Sequence, residues 1–313
     1  MVNLEKEKII DYLVISDVPG RKFIAEEDHR WRGLIEPAPT ENTEKTNAGL
    51  KVVLFASWDF GYLALETLKQ FENKYPEQLN LVGLVTDHPL NPEAKISIKK
   101  RVWNLHDMPC RVINETIIIE SALSHGIPVH TGEVKVESFL RIIKEWNPDA
   151  ILVCVFGQII DSLTINLPRY GINNFHPSDL TKHQGAGPAP YDDLSRRQAK
   201  TSVWSVHHVS EEVDSGEVVG KSPPFNVLDD KGHLPDDPLV VYHKLAEALS
   251  PMVFFLVKEL VRNFELNKQG WIDSIDFESQ IPDTIKEKIM QPVINDQLTD
   301  IISVPDDYLF NPG

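Results

Sequence analysis

Three residues of this chain belong to types that move protons and stabilise charge: Asn174, His176 and Asp214. Asn174 and His176 lie in Gly171-Ile-Asn-Asn-Phe-His-Pro-Ser178, and Asp214 opens Asp214-Ser-Gly216. An imidazole exchanges a proton near neutrality. An amide N–H can hydrogen-bond an oxygen that gains negative charge without changing its own charge. A carboxylate beside the imidazole can orient it, stabilise its cation or hold a bridging water. Asn174 and His176 stand two apart in a β-type run, so both side chains point to one face. Pro177 cannot donate to a ladder, so the strand should stop at His176, leaving the imidazole at its carboxyl end. His176 and Asp214 are 38 residues apart, about the length of one βαβ unit. Amide, imidazole and carboxylate can therefore meet at one edge of one sheet. Any one of them alone reads more simply as a turn cap, a strand-end histidine or an ordinary turn. The ordered set points to chemistry.

The elements around them have to make that edge. Lys51-Val-Val-Leu-Phe-Ala56 is a continuous apolar run suited to a buried parallel strand. Ser57 or Asp59 can cap the helix that follows, with Phe60, Ala64, Leu68 and Phe71 at helical spacing. Leu79–Thr86 is the next strand, and His88–Cys110 is a long irregular stretch. Ile117–His125 reads as a helix ended by Gly126, Ile127–His130 as a short strand, and Val136–Trp146 as an amphipathic helix closed by Asn147-Pro148. Ile151–Phe156 precedes the Asn174/His176 strand, and Thr201–Val209 is one strand running into Asp214. Strands alternating with helices imply an α/β fold with a doubly wound, mostly parallel sheet. In such sheets ligands bind outside the carboxyl ends of the strands, where Ser57, Gly157, His176 and Asp214 are all expected on one rim.

The ordered set resembles the folate-dependent formyltransferase family, which includes glycinamide-ribonucleotide, methionyl-tRNA and sugar N-formyltransferases and formyltetrahydrofolate hydrolase. The motifs are Asn174-Phe-His176-Pro-Ser178, Gly185-Ala-Gly-Pro188 and Asp214-Ser-Gly216, with Ala150–Ile160 and Lys51–Leu68 matching further back. The resemblance covers roughly residues 50–225 and implies a Rossmann-like core with N- and C-terminal extensions. It divides the chain into an extension and linker at 1–47, a catalytic domain at 48–225 and a helical C-terminal region at 226–313. It implies that Asn174, His176 and Asp214 are catalytic: Asn174 as oxyanion donor, His176 as base and Asp214 as its partner. It implies a 10-formyltetrahydrofolate co-substrate held mostly by backbone groups of Phe156, Gly157, Gln158, Ile159 and Ile160 and of Glu211, Glu212 and Val213. Ser178, Gln184, Gly185 and Pro188 are the implied acceptor contacts, and His183 could join them. His207 matches a histidine of the glycinamide-ribonucleotide enzymes. His207 and His208 point to opposite faces, and for each a hydrogen-bonded strand histidine is the plainer reading.

The chain also departs from the family. Ser57-Trp-Asp-Phe-Gly61 lacks the Gly-rich phosphate nest of the glycinamide-ribonucleotide enzymes, and Asp179-Leu-Thr-Lys-His183 replaces the usual Leu-Pro after Pro-Ser. Both differences bear on the acceptor. The 313 residues carry 31 Lys and Arg against 47 Asp and Glu, a net charge of −16. Such a chain is poorly steered to nucleic acid. Lys99-Lys-Arg101, the one compact basic run near the core, reads first as a solvated surface. The last 49 residues, 265–313, look too short and too poor in alternating strands for the C-terminal barrel of methionyl-tRNA formyltransferases. The expectation is therefore an enzyme that formylates a small-molecule amine, with no nucleic acid partner. The alternatives are a 10-formyltetrahydrofolate hydrolase, a methionyl-tRNA formyltransferase and a catalytically silent folate-binding homologue. The acceptor's identity and the oligomeric state, a homodimer included, stay open.

Cys110 and Cys154 make no disulfide framework, and no His, Cys or acid spacing suggests a metal. The N-terminus has no apolar signal core and no run approaches eighteen apolar residues, so a cytoplasmic protein without a membrane span is expected. Ile9–Ser16 could form one strand, residues 36–47 read as a linker, and the extension as a whole could supply an edge strand. Asp237–Val261 is a long helical region that Pro251 should interrupt or kink. Thr284–Met290 is a short helix candidate.

Overall fold

The computed structural model describes residues 34–37, 48–86, 117–182 and 189–293. Their centre is a sheet of eight strands in the order β1-β4-β3-β2-β5-β6-β8-β9. These are β1 (Leu34–Ile35), β2 (Leu50–Ala56), β3 (Leu79–Val85), β4 (Val129–His130), β5 (Ala150–Cys154), β6 (Ile172–His176), β8 (Ser205–His208) and β9 (Val218–Lys221). From β4 through β3, β2 and β5 to β6 every pairing is parallel. Both edges are antiparallel: β1 on β4, and β8 and β9 beyond β6. β1 is thus an edge strand from the N-terminal extension, while Ile9–Ser16 and Lys99–Arg101 lie outside the described residues.

The sheet is covered on both faces, and the apolar runs record it. Val52, Leu54 and Ala56 of β2 enter one core, and Val53 and Phe55 enter the other. In β5, Leu152 and Cys154 go with the first, Ile151 and Val153 with the second. A strand buried on both sides has no polar face to alternate with. The larger core is closed by α1 (Trp58–Lys74), by α2 at residues 117–124 and by the long α6 (Pro238–Glu265). The smaller is closed by α3 (Glu137–Trp146), with α4 (Ser162–Ile165) at its end. α5 (Ala189–Arg197), α7 (Phe277–Gln280) and α8 (Asp283–Ile289) complete the helices among the described residues, and a two-stranded ribbon pairs β7 (Thr201–Ser202) with β10 (Phe225–Asn226).

Several local expectations hold. Ser57 is the N-cap of α1, although its hydroxyl meets the Thr86 hydroxyl at 3.3 Å instead of capping. Gly126 ends α2 at φ 75°, and Asn147 ends α3 in the left-handed region at φ 45°. Others need correction. Thr201–Val209 is two strands: the chain breaks at Val203-Trp204, where Trp204 is fully buried and its indole N–H donates to the Leu245 carbonyl at 2.8 Å. The segment from His176 to Asp214 is no parallel βαβ unit, because β8 returns antiparallel to β6. α6 runs on through Pro251; its neighbours Leu249, Met252 and Val253 are fully buried, and that burial offsets the lost hydrogen bond. Val240–Glu265 is in fact long and apolar enough to span a membrane, an 18-residue window of it having a mean hydropathy of 1.4, but 88% of that window is buried inside the molecule.

Candidate active site

β6 carries the site because its two polar residues point to the same face. Asn174 is in register with Val153 of the smaller core, whereas Phe175 pairs with Cys154 and enters the larger one. Asn174 and His176 therefore continue the smaller-core face. On the other side Asn174 is in register with His207 and His176 with Ser205. Registered residues of an antiparallel pair share a face, so β8 adds His207 to the same patch.

Asp214 arrives by a different route than expected. β8 runs backward, so its last residue lies opposite Asn173, away from the His176 end of β6. The turn at 209–217 leaves from there and folds back over the sheet face. Its Asp214 carboxylate reaches 3.6 Å from His207 Nε2 and 3.8 Å from His176 Nδ1. The turn is held by its own serines: Ser210 and Ser215 each donate to the Glu212 carbonyl, at 3.0 and 2.9 Å. Asp214 sits at φ 55°, a conformation aspartate tolerates better than most residues. Gly216 is required by contact, since a Cβ there would stand 1.7 Å from the His208 carbonyl oxygen.

His207 has a defined tautomer. Its Nδ1–H donates to the His208 carbonyl at 2.8 Å, which leaves Nε2 to accept from the Asn174 amide at 2.9 Å. Burial pushes its pKa down, against the opposing pull of the backbone carbonyl and of Asp214. A neutral His207 thus fixes the amide plane of Asn174 by one of its two N–H groups. The sequence undervalued this residue. The signal was there in the period-2 pattern, but only the β6–β8 register makes His207 the neighbour of Asn174. His208 faces the other way, as expected for adjacent strand residues.

The loop after β5 uses its side chains mainly to hold itself. Phe156 packs edge-on to Phe55 at 5.2 Å, Ile160 is buried, and Gln158 accepts from Val134 N–H and donates to the Gly132 carbonyl, both at 3.1 Å. Val155 turns the chain at φ 52°, an unusual conformation for a β-branched residue. Backbone groups and the exposed Ile159 are what the loop offers a ligand. In the other predicted segment Glu211, Glu212 and Val213 are exposed, Val213 at 60%. Ser178 is buried behind His176, its carbonyl accepting from Ser205 Oγ at 2.7 Å. Gln184, Gly185 and Pro188, with His183, lie outside the described residues. Among the described residues no group of three His, Cys, Asp or Glu could hold a metal.

The chain is similar in sequence and in fold to proteins described as formyltransferases. Residues 107–232 match the model of the family described as formyl transferase. The chain is 32% identical over 210 residues to a methionyl-tRNA formyltransferase of Syntrophus aciditrophicus, covering 64% of this chain and 60% of the relative. It is 29% identical over 205 residues to that of Bacillus subtilis, covering 65% and 57%. The chain thus spans little more than half the length of these relatives. Two solved structures share the fold. Phosphoribosylglycinamide formyltransferase from Anaplasma phagocytophilum has a TM-score of 0.51 at 18% identity, over 69% of this chain and 88% of that one. Glycinamide ribonucleotide transformylase 1 from Symbiobacterium toebii has a TM-score of 0.50 at 14% identity, over 73% and 93%. The formyltransferase resemblance and the α/β fold are borne out. The relatives' name runs against the expectation of a small-molecule acceptor with no nucleic acid partner.

Proposed function

We propose, on the premise that this chain is of the formyltransferase family, that it transfers a formyl group from 10-formyltetrahydrofolate to an amine. The observation that carries the reading is the convergence of Asn174, His176, His207 and Asp214 on one sheet face. The donor supplies an acyl carbon bound to a nitrogen leaving group. When an amine adds to that carbon, its oxygen gains negative charge, a C–N bond forms and the amine must lose a proton. Asn174 has a second N–H beyond the one given to His207, and that group can donate to the charged oxygen. His176 can accept the amine proton and return one to the leaving nitrogen, so that proton and bond changes balance. Asp214 lies where it can stabilise the imidazolium or hold a water beside it. The loop at 156–160 and the turn at 211–213 suit a flat heterocycle: they offer backbone groups with exposed Ile159 and Val213, while Phe156, Gln158 and Ile160 are committed to the scaffold.

For the acceptor, the name shared by the relatives favours the amine of methionyl-tRNA. A small-molecule amine is the second reading, favoured by 31 basic against 47 acidic residues. The two separate in one experiment. The protein is incubated with 10-formyltetrahydrofolate and either methionylated initiator tRNA at low ionic strength or a pool of small amines, and products are weighed by mass spectrometry. Formylmethionine supports the first reading; a small amine heavier by one formyl group supports the second. Formate released without any amine would mean hydrolysis. Folate binding with no turnover in any arm would contradict the transfer reading.

A further inference from the structure

Beside the site lies a cluster that the chemistry above does not use. Lys221 of β9 is in register with Ser205, and Ser205 with His176. The three share a face, and two strand spacings put the Lys221 backbone about 10 Å from that of His176. The loop leaving His176 is pinned across this interval. Ser178 N–H donates to the His176 carbonyl at 2.8 Å; Ser205 Oγ donates to the Ser178 carbonyl at 2.7 Å and accepts from Leu180 N–H at 3.3 Å. That fixes Asp179 between His176 and Lys221.

Asp179 binds two ammonium groups, Lys221 at 2.6 Å and Lys182 at 2.8 Å. It also accepts from Thr181 N–H at 3.1 Å and Thr181 Oγ at 2.7 Å. Burial works against its charge, yet these donors hold its pKa below the usual carboxylate range. The Asp179 side chain is 14% exposed, whereas Lys221 is 35% and Lys182 56% exposed. The ammoniums are therefore open to solvent above the carboxylate that gathers them. Two cations against one anion leave a net positive point in a chain of net charge −16. As a device for stability it is weak, since solvent-exposed ion pairs contribute little. As a device for recognition it is well placed: lysine is a point-charge phosphate binder, and here two stand one loop away from the imidazole.

We propose that Lys221 and Lys182, gathered by Asp179, form the subsite for a phosphate group carried by the formyl acceptor. The proposal rests on the formyl-transfer reading for the word acceptor only; the anion site itself is testable without turnover. Phosphate chemistry is shared by a small phosphorylated amine and by the 3′ end of an aminoacylated RNA.

The test is a titration of the full chain with inorganic phosphate and pyrophosphate at low ionic strength, followed by phosphorus NMR. Lys221→Met should weaken binding at least tenfold, and Lys221→Arg should restore it. Asp179→Asn should strengthen it severalfold, because the amide oxygen can still accept from both ammoniums while the competing negative charge is gone. The opposite signs are decisive: a merely structural latch would make Lys221→Met and Asp179→Asn fail together, through lost order in the 177–182 loop. Weakening by both, or indifference of binding to all three variants, overturns the site. Phosphoethanolamine and an RNA minihelix ending in CCA then compete for the bound phosphate. Displacement by either supports the proposal and identifies the source, and displacement by neither overturns the acceptor role. Binding of 10-formyltetrahydrofolate to the wild-type protein is measured alongside. Phosphate bound without folate would count against formyl transfer and leave the anion site standing.

Discussion

His207 and His208 are neighbours on one strand, and both are buried with pKa values that burial pushes down. They do different things because the strand sends them to opposite faces. His207 takes the Asn174 amide and lies 3.6 Å from Asp214. His208 donates Nε2–H to the Ile272 carbonyl at 2.8 Å, and its ring lies 4.8 Å from that of Trp271. One face of β8 holds polar side chains to one another, with His207 beside Asn174 and Asp214. The other uses the same side chain to fasten the segment after α6 to the sheet. Burial and a lowered pKa therefore do not mark function at either residue. What separates them is that His207, besides its bond to the His208 carbonyl, also meets the side chains of Asn174 and Asp214, whereas His208 bonds a backbone carbonyl of the scaffold.

Substitutions on the two faces should behave differently, and the largest effect belongs to the site face. His176→Ala should cut formyl transfer by roughly 10²- to 10⁴-fold, the usual worth of a positioned acid or base. The melting temperature is measured alongside, because His176 is buried and any loss of stability on truncation has to be separated from the loss of rate. A wild-type rate would remove His176 from the reaction. Next in size is Asn174→Ala, which should cost roughly 2.7–4 kcal/mol of transition-state stabilisation if the amide supplies an oxyanion donor. The loss should fall on kcat; a change confined to KM for the folate would assign the amide to binding instead.

The comparison sharpens with the adjacent pair. His207→Phe removes the acceptor that orients Asn174, and about 1 kcal/mol, the net worth of one hydrogen bond, translates into several-fold lower kcat. His207→Gln, which retains an acceptor, should recover part of it. His208→Phe should leave kcat within a factor of two. It should instead lower stability by about 1–3 kcal/mol, because the buried Ile272 carbonyl loses its donor. A His208 variant that lost activity while keeping its denaturation midpoint would break the division between the faces.

Much of this arrangement was legible in the sequence. The apolar runs of β2 and β5 announce strands covered on both sides, and Asn174, Phe175 and His176 announce which neighbours share a face. Gly126 and Asn147 mark helix ends because the left-handed region they occupy is unfavourable for other residues. What could not be read was long-range. The reversal of β8 depends on pairing between residues about 30 positions apart, and no local pattern encodes a strand's direction. With direction unreadable, the pattern sets Asp214 at the rim and gives His207 no partner. The break at Trp204 was hidden for a related reason: Thr201–Val209 has the composition of one strand, and only the burial of the indole against α6 divides it. Lys221 shows the same limit, since its distance to Asp179 is set by two successive antiparallel registers.

The smallest effect expected is one of pH, and it concerns a third histidine. His130, at the end of β4, is buried, its ring lies 4.7 Å from that of Phe139, and Nε2–H donates to the Glu133 carbonyl at 3.2 Å. Burial lowers its pKa from 6.5 to about 4, with the backbone carbonyls of Glu133 and Gly132 opposing. A base whose folded pKa is depressed stays neutral in the native state while the unfolded chain takes up a proton. Stability is then complete above pH 6.5, falls as pH drops toward the folded value near 4, and falls no further below it. Between pH 6.5 and 5.5 this one group should remove about 1 kcal/mol. His207 and His208 act in the same direction. Urea unfolding at a series of pH values should therefore show stability declining on acidification. His130→Gln keeps an N–H for the Glu133 carbonyl but does not titrate, and its decline should be shallower by about that amount. A variant with the wild-type slope would mean that His130 takes up its proton in the folded protein as readily as in the unfolded chain.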